Sequence, residues 1–177
     1  MALSDEPEEL LDLVDSHDIV VGTVVREEVA RLGMALPGMV RASNVFIVDG
    51  RGRLWVPRRS PHKKSAPNGL DYSAGEHVQA GETYAQAIIR GMKEELNLDA
   101  GEPQLELLAK ISNAPVGLPY FNTIYLYRSD DVPHYNTNDF VSYEWLTPAE
   151  LQAKLAAGEP AKKDMELAVA ALLDAKK

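Results

Sequence analysis

The chain contains no cysteine. That excludes disulfides, thiolate metal sites and every mechanism built on a cysteine nucleophile. Long apolar runs are missing too. The longest, residues 19–25 and 167–173, fall well short of the ~18 residues that a membrane helix needs. The acidic opening MALSDEPEEL has neither the basic start nor the apolar core of a secretory leader, so a cytoplasmic protein with no membrane partner is expected. Basic residues are scarce: 18 Lys and Arg stand against 27 Asp and Glu, a net charge of −9. A binder of extended nucleic acid carries the opposite balance. Repeats and low-complexity tracts are also absent.

What is present describes one globular domain. With 177 residues, 45% hydrophobic and 25% charged, the chain is long enough to bury about 70% of its unfolded surface without covalent staples. Residues 1–9, acidic and holding Pro7, are expected to be loose. Residues 10–177 are expected to form a single domain with an N-terminal hairpin extension and C-terminal helices. Segments 10–14 and 19–25 read as strands about a polar turn, and 26–32 as a short helix. Segments 44–48 and 54–56 flank Asp49-Gly50, a dipeptide that supplies the positive φ of tight hairpin turns. Residues 57–69, with three prolines, read as a long loop of the kind that carries function, and 70–74 as a short strand.

The clearest helix follows Gly81. Ala85, Ile88, Ile89, Met92 and Leu96 recur at helical spacing and predict one apolar stripe, with Glu82 or Thr83 as its cap. Strands are expected over 105–112, 121–128 and 140–145. Thr147-Pro148-Ala149-Glu150 is a capping box that opens a helix to about residue 157, and a last helix spans 163–175. This order predicts an α+β chain, an α/β/α sandwich on a mixed sheet.

Two charge features stand out. Arg51, Arg53, Arg58, Arg59, Lys63 and Lys64 gather six of the basic residues in a 14-residue window. On an acidic protein such an island holds a small anion or merely guards a hairpin edge, and charge alone leaves both readings open. Glu94 and Glu95 sit in the last helical turn, where the helix dipole disfavours negative charge. A hard divalent cation, Mg²⁺ or Mn²⁺, would relieve this; a solvated acidic helix end is the plainer reading of the pair by itself.

The pair belongs to a longer pattern. Gly75-Glu76-His77-Val78-Gln79-Ala80-Gly81-Glu82, then Arg90, Glu94-Glu95 and Leu98 resembles the Nudix box, matching it at Glu82, Arg90, Met92, Glu94, Glu95 and Leu98. Over roughly residues 10–155 the chain is similar to that superfamily, which implies its α/β/α sandwich with a mixed sheet. Three positions depart from the box. Glu76 stands where the box has its first glycine, Gly91 where it has the glutamate after arginine, and Asn97 where it has its last glycine. Asn97 tolerates the backbone conformation glycine provides. Gly91 removes a carboxylate that the family commonly uses as metal ligand or base, one turn before the glutamate pair. The box glycine sits beside the metal in the family, so Gly75 and Glu76 join Glu94 and Glu95 as expected metal ligands. Glu76 is expected to project its carboxylate into the space vacated at position 91. Asp139, six residues before Trp145 where relatives often place an acidic group, is a candidate ligand or base. His77 is read as structural or solvated.

Residues 58–69, Arg-Arg-Ser-Pro-His-Lys-Lys-Ser-Ala-Pro-Asn-Gly, resemble the segment before the box in isopentenyl-diphosphate isomerases and their hydrolase relatives. The resemblance implies that Arg59 and Lys63 bind diphosphate, with Arg58 beside them. Isomerase chemistry needs a cysteine where Ser73-Ala74-Gly75 stands, which leaves the hydrolases. The reading is a metal-dependent pyrophosphohydrolase acting on a nucleoside di- or triphosphate or a related derivative. Glu94 and Glu95 would hold Mg²⁺ or Mn²⁺, Arg90 would orient them, and water would attack phosphorus. Tyr72, Tyr120 and Phe121 are candidates for stacking on a base. The alternative is a Nudix-fold nucleotide-binding protein without turnover, its position 91 empty; monomer and homodimer both remain open.

Overall fold

Alternation along one strand decides the layers. In the computed structural model, which describes residues 9–177, strand β3 (Val40–Val48) runs through the middle of the sheet. Successive side chains of a strand point to opposite faces. Val45 and Ile47 therefore enter one apolar cluster, while Phe46 and Val48 enter another on the far side. The sheet is mixed. Its order is β6 (Leu105–Ser112), β7 (Tyr120–Arg128), β3, β4 (Leu54–Arg59), β8 (Phe140–Leu146), with β5 (Ala74–His77) pairing β3 as well. Strands β3 and β7 are parallel and the other pairs antiparallel.

Helix α2 (Tyr84–Leu96) covers one face. Its buried Ile88, Met92 and Leu96 pack on Val45, Ile47, Trp55 and Phe140. Thr83 caps it by accepting from the Gln86 N–H, and Gln86 reciprocates. Asn97 ends it in the left-handed region (φ 51°), a conformation asparagine adopts cheaply. Helices α3 (Pro148–Ala156) and α4 (Met165–Asp174) cover the opposite face around Phe46, Tyr72 and Ile124. The result is the α/β/α sandwich expected from the element order.

A two-stranded hairpin, β1 (Leu10–Val14) and β2 (Val20–Val25), leads into α1 (Arg26–Leu32). Leu11, Val29, Leu36 and Val40 join it to the sandwich in a third cluster. Asp18 fastens the turn of this hairpin. It accepts from Arg41 Nε at 2.6 Å, Tyr84 Oη at 2.9 Å and the Lys110 ammonium. Of the segment read as loose, residues 1–8 lie outside the described residues. Glu9 is tied down, paired with Arg26 at 2.9 Å and with Gln79 Nε2 at 3.0 Å.

The structure corrects the reading of 70–74 as a strand. Strands β3 and β4 share only the Val48–Leu54 pair and then diverge. Residues 69–73 fill the gap, bonding first to β4 and then to β3: Arg59 N–H to Gly69 O, Asp71 N–H to Pro57 O, and Ser73 N–H to Val45 O. Ser73, fully buried, donates its hydroxyl to Trp55 O at 2.6 Å and accepts from Ile47 N–H at 2.8 Å. The regular strand begins only at Ala74. Strand β4 likewise runs on to Arg59, so the loop occupies 60–69 rather than 57–69.

Candidate functional site

A cleft of about 1820 Å³ opens where β5, the C-terminal end of α2, the 60–69 loop and α1 meet. Charges of both signs line it: the carboxylates Glu76, Glu94, Glu95 and Asp139, and the cations Arg59, Lys63 and Lys64.

Local structure explains how the box carboxylates are placed. Ala74 and Glu76 are two apart on β5 and share a face; Ala74 packs in the cluster beneath α2. Glu76 is thereby aimed at the helix, at Gly91. A Cβ at position 91 would lie 2.5 Å from Glu76 Cγ, closer than real side chains approach. Glu95 follows Gly91 by one turn on the same face, and its Oε1 accepts from Gly75 N–H at 3.0 Å. Arg90 gathers the group. Nε and Nη2 grip both oxygens of Glu82 at 3.0 Å, and Nη2 also donates to His77 O at 3.0 Å. Nη1 reaches Glu76 at 3.3 Å and Glu94 at 3.9 Å. Burial alone would depress this guanidinium, but the Glu82 hydrogen bonds and the charges of Glu76 and Glu94 outweigh it and hold the group more firmly protonated.

The carboxylates crowd one another. Burial pushes Glu76 up to about 7, Arg90 opposing and Glu94 adding to the rise. Burial also lifts Glu95 well above the ordinary carboxylate range, with the Glu76 charge next in effect. Deep carboxylates with one guanidinium among them form a hard-oxygen donor set short of positive charge, which fits a divalent cation. Among the described residues no three His, Asp or Glu side chains converge into a ready-made cage. Mg²⁺ does not require one, because it keeps several waters and uses one or two carboxylates.

The cations of the cleft are held by acids. Arg59 donates to Asp71 at 2.5 Å and to Ser65 O at 2.8 Å, and Lys63 to Asp139 at 2.5 Å. Asp139 is kept beside the helix end by backbone bonds from Asn136 N–H to Glu95 O and from Asp139 N–H to Asn136 O. Arg58 is turned away from the cleft. It shares a strand face with Leu54 and Val56, on the side of α3 and α4, and it pairs with Glu159 at 3.1 Å and Asn68 O at 2.9 Å.

The aromatic candidates separate. Tyr72 is fully buried against Phe46, at 5.1 Å between ring centroids. Phe121 points to the other side of β7, under the Lys110 ammonium. Tyr120 alone lines the cleft, edge-on to His77 at 5.3 Å. Burial, reinforced by the Arg26 charge, drives His77 down to about 3, so its imidazole stays neutral and structural.

Sequence reasoning passed over two features of the cleft. Asp71 anchors Arg59; its signal was its place as the first acid after the basic island. The floor is a polar chain: Asn44 donates to Asn122 at 2.7 Å, and Asp164 Oδ2 accepts from Tyr72 Oη at 2.9 Å, Asn113 at 3.0 Å and Asn122 at 3.2 Å. These partners lie 42 to 92 residues apart in sequence, and no local pattern announces them.

With this geometry in view, comparison with known proteins places the chain. Residues 38–167 match the NUDIX domain model. A Nudix hydrolase of Deinococcus radiodurans is 44% identical over 158 residues, covering 89% of this chain and 90% of its own. An uncharacterized Nudix hydrolase of Nostoc sp. is 42% identical over 157 residues, covering 89% and 91%. The crystal structure of DR0079 from D. radiodurans superposes with a TM-score of 0.77 at 42% identity, covering 91% of this chain and 97% of that one. The chain belongs to the Nudix family, whose hydrolases generally use divalent metal ions. Among the described residues no helix is long and apolar enough to cross a membrane.

Proposed function

We propose that the chain is a divalent-cation-dependent pyrophosphohydrolase that cleaves a diphosphate linkage in a nucleoside di- or triphosphate or a related nucleoside diphosphate derivative. The observation that carries this reading is that one cleft is lined both by the box carboxylates Glu94 and Glu95 and by the cations Arg59 and Lys63. Glu94 and Glu95, with the Gly75 backbone beside them, would hold Mg²⁺ or Mn²⁺. When bound, the cation offsets phosphate charge and makes a coordinated water more acidic.

The chain's own groups do the rest. Arg59 and Lys63 hold the terminal phosphates; the forked guanidinium suits two oxygens at once, and the ammonium acts as a point charge. Both are already turned into the cleft by Asp71 and Asp139. Arg90 orients the carboxylates and does not face phosphate. Asp139 is the candidate acceptor for the proton of the attacking water, with Lys63 holding it in place. Tyr120 offers the aromatic face nearest the cleft for a base. A soluble small-molecule substrate fits the cleft, and extended nucleic acid does not fit the charge of the chain.

The second reading, a nucleotide-binding Nudix fold without turnover, is favoured by one observation: among the described residues the acids do not converge into a ready-made cage. One assay separates the two. Pure protein is incubated with nucleoside di- and triphosphates, nucleotide sugars and prenyl diphosphates, with Mg²⁺ or Mn²⁺, and released phosphate is measured. Turnover that falls at least ~100-fold in Glu95→Gln supports the hydrolase. Calorimetric binding without turnover across the panel supports the binding protein.

A further inference from the structure

Position 91 has lost a carboxylate, and position 76 has gained one. The two sit against each other: the Cβ that any other residue would add at 91 falls 2.5 Å from Glu76 Cγ, with Glu76 Cβ at 3.5 Å and Cδ at 3.6 Å. Glu76 cannot swing aside freely. Its Cα is fixed opposite Ser43 in the β3–β5 ladder, its side chain is only 10% exposed, and its carboxylate is held by Arg90 at 3.3 Å. A glycine within α2 is otherwise unfavourable, since it carries more backbone entropy into the helix than alanine does. Its presence has a steric reason here: the Glu76 side chain crosses the helix backbone at the point where a Cβ would stand.

We infer that Glu76 and Gly91 are one exchange, in which the third carboxylate of the cation site is carried on strand β5 instead of helix α2. The inference rests on the reading of the cleft as a divalent-cation site and names a ligand within it. Glu76 lies against Gly91 from the facing strand, and its carboxylate meets the same Arg90 Nη1 that reaches Glu94, at 3.3 and 3.9 Å. The donor comes from the opposite side and arrives in the same neighbourhood. The loss at 91 is then no loss of a ligand, and the two positions depend on each other in a way that neither shows alone.

The test is a double-mutant cycle on the full chain, read by Mn²⁺ binding in electron paramagnetic resonance and by thermal unfolding of the metal-free protein. Glu76→Gln, which keeps the shape, is expected to weaken Mn²⁺ binding roughly tenfold or more with little change in Tm. Gly91→Glu alone is expected to lower Tm, because its Cβ meets Glu76. Adding Glu76→Gly to it is expected to restore both Tm and Mn²⁺ affinity to within about threefold, by returning the carboxylate to the helix. The exchange is overturned if Glu76→Gln binds Mn²⁺ like the parent while Glu95→Gln does not. It is also overturned if Gly91→Glu is as stable as the parent, or if the double variant is no better than either single one. If neither Glu94→Gln nor Glu95→Gln alters Mn²⁺ binding, or the parent binds none, the cation site itself is refuted, and with it the function proposed above.

Discussion

Removing the Asp164 side chain should release the floor of the cleft and loosen α4 from the sheet. Asp164 is 4% exposed, and one of its oxygens accepts from three donors: Tyr72 Oη, Asn113 and Asn122. A hydrogen bond to a charged group is worth about 1.5–3 kcal/mol net. The three share one oxygen and are not additive, and the other oxygen, buried without a partner, is a cost already present in the folded state. Asp164→Ala therefore should lose about 3–5 kcal/mol, because three buried neutral donors lose their acceptor at about 1–3 kcal/mol each, summed less than additively. At this chain length each kcal/mol is worth about 2–4 °C of Tm. Asp164→Asn keeps an acceptor at the same point and gives up the charge, so about 1–2 kcal/mol is expected. Urea unfolding followed by tryptophan fluorescence, with a shared m-value, measures both. An alanine variant within about 1 kcal/mol of the parent, or an asparagine variant as damaged as alanine, would refute the account of this network.

Gly75→Ala should cost about 1–3 kcal/mol by overpacking, because its Cβ lands on Asn44 Oδ1; thermal unfolding checks this, and adding Asn44→Ala should recover part of the loss. Asp18 is shifted by burial, which raises it, and by hydrogen bonds from Lys110, Arg41 and Tyr84, which together lower it below its ordinary value. A carboxyl depressed in the folded state contributes stability above its unfolded pKa of about 3.9 and loses it as pH falls further. The stability gap between parent and Asp18→Asn should therefore be full at pH 6 and shrink below about pH 4, in urea melts at each pH; asparagine also accepts the positive φ of 61° there. Arg59→Ala and Lys63→Ala should each raise KM for the diphosphate substrate about tenfold, with a steeper response to salt, whereas Arg58→Ala, paired to Glu159 outside the cleft, should leave KM unchanged in phosphate-release assays.

Local order was legible wherever one element's own chemistry decides it. The stripe Ala85, Ile88, Met92 and Leu96 predicted α2 because a helix repeats every 3.6 residues whatever lies opposite. Asn97 and the Thr147 capping box ended and began helices through backbone groups within four residues of themselves. Residues 70–74 misled because their pattern is that of a strand, while their partners are two diverging strands that only the assembled sheet brings to either side. Arg58 and Arg59 look alike in sequence. Strand alternation sends the first toward Glu159 and the second toward Asp71, and the register irregularity between them is a property of the β4–β8 pair.

By itself, then, the amino-acid order determined the family, the layers and the acids of the box, since these rest on spacing along one chain segment and on residue type. Tertiary structure decided which charges face each other. Arg59 meets Asp71, Lys63 meets Asp139, and Asp164 draws in Tyr72, Asn113 and Asn122 across long stretches of chain. It also decided the meaning of Gly91. A glycine in a helix reads as a missing glutamate until packing shows the strand-borne Glu76 lying across it, because van der Waals exclusion acts between neighbours in space, and no spacing along the chain encodes it.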